Sequence, residues 1–169
     1  MENRIDFTTY YQSPVGLLRL SGTDQYLSEV HFMNEEEIAT RPVPTTPLPP
    51  MAIQATEQLI QYFHGNRRVF ELPLYQKGTE FQERVWNELS NIPFGKTISY
   101  QELSRRLGDP KSIRAAGTAN GKNHIAIIVP CHRVIGAKGD LVGFGGGLAR
   151  KKWLLNHENK IAHGVQTLF

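Results

Sequence analysis

The sequence predicts an α+β protein built as a small antiparallel-sheet domain followed by a mostly helical domain. Three observations carry this expectation. Short β-branched, aromatic and aliphatic runs broken by turn residues occupy the N-terminal part, a proline-dense stretch follows, and apolar residues at helical spacing dominate the remainder. With 169 residues, 40% of them hydrophobic and 21% charged, the chain can bury one large or two small cores. No apolar run approaches the roughly 18 residues of a membrane span, and the N-terminus "MENRIDFTTYY" lacks the basic-then-apolar order of a signal peptide. A cytoplasmic protein with no membrane partner is expected.

In order along the chain, "FTTYYQSPVGLLRLSG" and "YLSEVHFM" read as antiparallel strands joined by tight turns at Ser13-Pro14 and Gly22. "RPVPTTPLPP", residues 41–50, holds too much proline for helix or inner strand and reads as a surface loop. "MAIQATEQLIQYFHG" shows helical spacing through Ile53, Leu59, Ile60 and Phe63, with Gly65 as its stop. A domain boundary falls near residues 74–80, giving parts 1–77 and 78–169. From Thr79, the residues Phe81, Val85, Trp86 and Leu89 form one helical stripe, ended by "NIPFGKT".

Next, Ser99 with Glu102 makes a capping box, Leu103 and Leu107 form an apolar face, and Gly108-Asp109-Pro110 breaks the helix before another opens around Ser112. This is helix, turn, helix. The second helix, "SIRAAGTAN", offers Arg114 as its one long cation among Ala115, Ala116 and Gly117. Base-reading helices usually carry several long polar side chains, so this one suits close approach to a duplex without sequence readout, or tight packing on a neighbouring helix. Arg105, Arg106, Lys111, Arg114, Lys122, Arg133, Lys138, Arg150, Lys151 and Lys152 crowd the last third, which points to a polyanionic partner. Gly145, Gly146 and Gly147 lack the Lys-Ser/Thr ending of a phosphate loop.

The single cysteine, Cys131, stands in "IAIIVPCHRVIG". One thiol can form neither an internal disulfide nor a paired-thiolate zinc site, so it serves packing or reactivity. Ile125, Ile127, Ile128 and Val129 read as a buried strand, and Pro130 as the start of a helical turn that holds Cys131 near unpaired N–H groups. Those groups, with Arg133 nearby, would lower the thiol's pKa. His132 is a candidate proton acceptor if the backbone turns or a water bridges the pair. A buried, inert thiol remains the alternative.

"PCHRVIG", preceded by "GKN" and followed by "GGGLARKKWLLNHE", closely resembles the O6-alkylguanine-DNA alkyltransferases, also called methylated-DNA–protein-cysteine methyltransferases. The likeness runs over about residues 58–160, through "LIQYFHG" and "FQERVWNELSNIPFGKTISYQEL". It implies a ribonuclease-H-like N-terminal domain, a winged-helix-like catalytic domain with the helix-turn-helix, and no cofactor or metal. The implied reaction is single-turnover transfer of the alkyl group from O6-alkylguanine, with O4-alkylthymine as a second candidate lesion, in duplex DNA to Cys131 after base flipping by a monomer. By that resemblance Cys131 is the acceptor, His132 takes its proton through a water, Glu158 orients and charges the histidine, and Tyr100 stabilises the leaving guanine. Arg114 is the finger that fills the vacated stack, among a duplex-facing set with Ser112, Ala115, Gly117 and Tyr100. Asn123 is the hinge, and Val134, Phe144 and Gly145 wall the base pocket. Phe144 departs from the tyrosine of several relatives, and Ile113 precedes Arg114 where smaller residues are familiar. The chain also lacks the N-terminal cysteines with which some relatives bind zinc, and it keeps the cysteine that one branch replaces by tryptophan. Two rivals stand beside this reading: a helix-turn-helix DNA-binding protein without chemistry, for which Cys131 is dispensable, and a Cys-His hydrolase.

Overall fold

Alternating inward residues make the first three strands: Phe7 and Thr9 in β1 (Phe7–Ser13), Leu18 and Leu20 in β2 (Gly16–Gly22), and Ser28, Val30 and Phe32 in β3 (Leu27–Phe32) are all buried. They form one antiparallel sheet in the order β1-β2-β3, with Ser13 opposite Gly16 and Leu18 opposite Phe32. The β2–β3 register shifts at Ser21/Gly22, where a Cβ on Gly22 would lie 2.3 Å from the Tyr26 carbonyl oxygen, so only glycine fits. The computed structural model describes residues 4–164 and 169, and it divides into two units, Met1–Lys77 and Gly78–Phe169.

In the first unit a capping box on Asn34 and Glu37 starts the short helix α1 (Glu35–Ala39), and α2 (Pro50–Phe63) packs on the sheet. The proline loop ends one residue earlier than its composition suggests, because Pro50 occupies the first turn of α2, where its missing N–H costs nothing. Met51, Ala55, Leu59 and Tyr62 form the buried stripe of α2; Ile53, expected on that stripe, is 48% exposed because it sits half a turn away.

The second unit begins at α3 (Glu80–Leu89), opened by a reciprocal capping box of Thr79 and Gln82, with Val85, Trp86 and Leu89 buried. A two-residue strand, β4 (Ile98–Ser99), runs directly into α4 (Tyr100–Arg106). Ser99 caps α4 by accepting from the Glu102 N–H, but the Glu102 carboxylate does not return to the cap. It turns instead to Arg105 at 2.6 Å and Arg106 at 3.1 Å, so the expected box is half formed. Leu103 and Leu107 are buried, Gly108 takes the left-handed conformation (φ 82°) that ends the helix, and α5 (Ile113–Gly121) completes the helix-turn-helix. The Trp86 indole N–H donates to the Ala119 carbonyl at 2.9 Å and ties α5 to α3.

Residues 125–129 are buried as expected, but they are not a strand. Successive turns close from Ile128 N to the Ala126 carbonyl (2.8 Å) and from Val129 N to the Ile125 carbonyl (3.0 Å), and Ile127 adopts φ 72°. Asn123 supplies the bonds a neighbouring strand would otherwise give. After a single turn of 3₁₀ helix, Cys131–Arg133, strand β5 (Val134–Ile135) pairs parallel with β4, and α6 (Leu148–His163) closes the unit. No helix among the described residues is long and apolar enough to cross a membrane.

Candidate active site

Four pieces of the second unit converge on Cys131. The turn is braced by Asn123, whose Nδ2 donates to the Val129 carbonyl at 2.8 Å and whose Oδ1 accepts from Ile125 N at 3.2 Å. Pro130 (φ −83°) bends the chain into the 3₁₀ turn, and the Cys131 N–H donates to the Val129 carbonyl at 2.8 Å. From α5, Asn120 donates to the Cys131 carbonyl at 3.3 Å. The thiol is buried, and burial pushes its pKa up despite the Asn123 side chain and the nearby Lys151 ammonium. This reverses the expected lowering: the expectation counted N–H groups and charge but not desolvation. Arg133 does not serve the thiol, because its guanidinium is turned to Glu158.

The adjacent histidine is drawn away from the thiol and into the core. His132 Nε2 lies 2.7 Å from Glu158 Oε2, both side chains being at most 1% exposed. An ionised carboxylate only accepts, so Nε2 carries the proton and the Nδ1 lone pair is free to act as a base. That Nδ1 is buried and has no hydrogen-bond partner. Burial pulls the histidine's pKa down, which keeps the imidazole neutral at rest although Glu158 works to raise it. For Glu158 burial pushes the other way, but His132 and Arg133 more than offset it, and the carboxyl is held well below its ordinary range. Arg133 Nε reaches Oε1 at 2.8 Å and its NH2 group reaches Oε2 at 3.0 Å.

On the opposite side stand Tyr100 and Lys151. The β4–β5 ladder sets Ile98 beside Val134, which carries Tyr100 at the start of α4 to the cysteine's side of the unit although the two are far apart in sequence. The Tyr100 hydroxyl donates to the Val142 carbonyl at 3.2 Å and lies 3.4 Å from that of Gly143. Burial and the charge of a Cys131 thiolate raise its pKa, so it stays a donor. Lys151 is fully buried and donates to the Val134 carbonyl at 2.6 Å and the Val142 carbonyl at 2.9 Å, with Nζ 5.8 Å from the Tyr100 ring centroid. Burial lowers its pKa to about 8. Val134 is buried, whereas Phe144 is half-buried and Gly145 exposed on the loop that Val142 anchors.

The outer face of α5 presents Arg114 and Ala115, with Ile113 42% exposed. Gly117 lies over the Tyr100 ring, where an added Cβ would sit 3.7 Å from two ring carbons. Ser112 is turned inward, its hydroxyl donating to the Asp109 carbonyl at 2.7 Å. Among the described residues no cluster of three or more His, Cys, Asp or Glu is placed to hold a metal ion.

Lys151, Asn120 and the true role of Arg133 escaped the sequence reading. A signal for Lys151 was present: Lys151, Leu154, Leu155 and Glu158 share one face of α6, so two ionisable groups flank an apolar stripe and must point inward with it.

Residues 7–76 match the family model described as 6-O-methylguanine DNA methyltransferase, ribonuclease-like domain, and residues 80–160 match its DNA binding domain. The chain is 46% identical over 157 residues to the methylated-DNA–protein-cysteine methyltransferase of Mycolicibacterium paratuberculosis, covering 93% of this chain and 94% of that one. It is 43% identical over 148 residues to the protein of the same name from Methanosarcina acetivorans, covering 88% and 95%. Among solved structures, Mycobacterium tuberculosis O6-methylguanine methyltransferase superposes with a TM-score of 0.79 at 42% identity, over 94% of this chain and 95% of that one. Mycobacterium tuberculosis OGT in complex with DNA gives 0.80 at 45% identity, over 90% and 92%.

Proposed function

This chain belongs to the methylated-DNA–protein-cysteine methyltransferase family, and from that premise we propose that it repairs duplex DNA by moving the alkyl group of O6-alkylguanine to Cys131, once per molecule. The observation that carries this reading is the buried thiol preceding a histidine whose Nε2 is bound to Glu158 and whose Nδ1 is left without a partner. A water between Sγ and Nδ1 passes the thiol proton to the histidine. The thiolate attacks the alkyl carbon, an S–C bond forms, and the C–O6 electron pair leaves with the guanine. The resting thiol is protonated, so the base acts at the moment of transfer and not before. Glu158 stabilises the imidazolium, and Lys151 stabilises the transient thiolate.

The Tyr100 hydroxyl exchanges its loop carbonyls for the guanine and stabilises it as it departs. Because the alkyl carbon is unreachable inside a stacked pair, the nucleotide swings out into the pocket walled by Val134, Phe144 and Gly145, and Arg114 fills the gap it leaves. An exposed, small-residue face around Arg114 supports that approach. An alkyl thioether resists displacement by water even beside a general base, so the chain is consumed.

Titrating the protein with a duplex carrying one labelled O6-methylguanine tests this. Label on protein should plateau near one methyl group per chain at Cys131, and Cys131→Ala should abolish transfer while leaving duplex binding. Sustained turnover would overturn the reading, and duplex binding without any transfer would favour a DNA-binding protein that does no chemistry.

A further inference from the structure

We propose that Arg133 is a positioning residue of the transfer reaction, which acts by holding both oxygens of Glu158 so that the carboxylate stays ionised and the proton leaving Cys131 stops at His132. The proposal rests on the alkyl-transfer reading above. Arg133 is 6% exposed, and all three guanidinium nitrogens donate within the site. Nε goes to Glu158 Oε1 at 2.8 Å, one NH2 group to Oε2 at 3.0 Å, the other to the Ile92 carbonyl at 2.7 Å, and the plane lies 5.8 Å from the Phe94 ring centroid. The carboxylate receives the complement: Oε2 also meets His132 Nε2 at 2.7 Å, and Oε1 accepts from Gly95 N at 3.3 Å. Two donors on each oxygen leave little room for a proton on Glu158.

This arrangement has a chemical consequence. A buried carboxylate without a cation would take up a proton, or force one onto the imidazole beside it, and either event removes the free base that Cys131 needs. A two-pronged cation cancels the charge while leaving Oε2 to orient Nε2–H, so Nδ1 stays unprotonated until the thiol proton arrives. The other charged or titratable groups near this cluster are Lys151 and Cys131 on the pocket side, Lys96 beside a small cavity at Glu158, and His163, whose Nε2 lies 3.0 Å from the Gly95 carbonyl. None of them reaches both carboxylate oxygens.

The test is the pH dependence of single-turnover transfer from free O6-benzylguanine, which needs no DNA, in the wild type, Arg133→Gln and Arg133→Lys. Loss of the positive charge makes the His132–Glu158 pair bind a proton at higher pH, whichever partner takes it. The midpoint of the acid limb should therefore rise by about one pH unit in Arg133→Gln. Arg133→Lys should keep the midpoint near the wild type while slowing transfer several-fold, because a point charge cannot span both oxygens. A folded Arg133→Gln variant slowed equally at every pH, with an unmoved midpoint, would overturn the proposal. Should that variant fail to fold, Arg133→Lys is compared in the wild-type and Glu158→Gln backgrounds: a several-fold slowing that disappears when residue 158 is Gln supports a role through the carboxylate, and equal slowing in both backgrounds rejects it. A wild-type protein that transfers nothing would instead refute the functional reading itself.

Discussion

Cys131 is a thiol at rest because desolvation outweighs every nearby donor, and in the proposed reaction this shifts the burden of activation onto His132 and Glu158. The same pair makes the fold sensitive to acid, and the sign follows from the two shifts. The pKa of folded His132 is lowered, so once the pH falls below the unfolded imidazole value of about 6.5 the unfolded chain binds a proton that the native one refuses, and stability begins to drop. Glu158, also lowered, contributes stability that is present above the unfolded carboxyl value and lost as the pH falls further toward the folded one. Urea midpoints measured from about pH 7.5 to about pH 2.5 should therefore decline in two stages, and His132→Gln should flatten the first of them. A wild-type protein equally stable across that range would show that the buried imidazole carries no such penalty.

At the scale of elements, α5 is made of residues chosen for what they leave out. Arg114 is exposed and forms no ion pair among the described residues. Arg114→Ala should slow repair in duplex DNA far more than reaction with free O6-alkylguanine, since the free base needs no flipping; equal slowing on both substrates would remove the finger role. Gly117 offers a complementary test. Its Cβ position is open to ordinary contact 3.7 Å from Tyr100, so Gly117→Ala should gain about 0.5–1 kcal/mol of stability from helix propensity. If the small surface exists to admit a phosphate backbone, the same substitution should weaken duplex binding, and a gain in stability with undiminished affinity would mean that the glycine does not face DNA. The short β4–β5 ladder matters as much as either helix, because it sets Ile98 and Ser99, just before Tyr100, beside Val134 and Ile135, just after the cysteine turn.

The basic character of the chain's last third changes meaning in the folded molecule. Arg133 and Lys151 are buried in the site, and Arg105 and Arg106 clamp Glu102, whose pKa their hydrogen bonds bring down to about 2. Lys111, Arg114, Lys122, Lys138 and Lys152 remain exposed. An interface drawing on such a set neutralises only a few phosphates, so log Kd plotted against log salt should have a slope of about 3 to 5 in magnitude, with unrelated duplexes bound within a few fold of one another. A steeper slope would require cations beyond these, and strong sequence preference would contradict a helix without base-reading side chains.

Local order was written in the sequence. The alternation of β1 to β3, the stripe Val85-Trp86-Leu89, the Gly108 break and the Cys-His pair are patterns of neighbouring residues, and chain stereochemistry with apolar burial is enough to read them. Residues 125–129 mark the limit, because a buried apolar run serves strand or turn equally well until Asn123 is seen to supply the bonds. The electrostatics of the site were settled only by tertiary packing. Whether Arg133 faces the thiol or Glu158, whether Lys151 reaches solvent or the Val134 carbonyl, and whether the cysteine's pKa rises or falls all depend on desolvation by groups distant in sequence. Charge responds to every neighbour in three dimensions, whereas periodicity responds only to the neighbours along the chain.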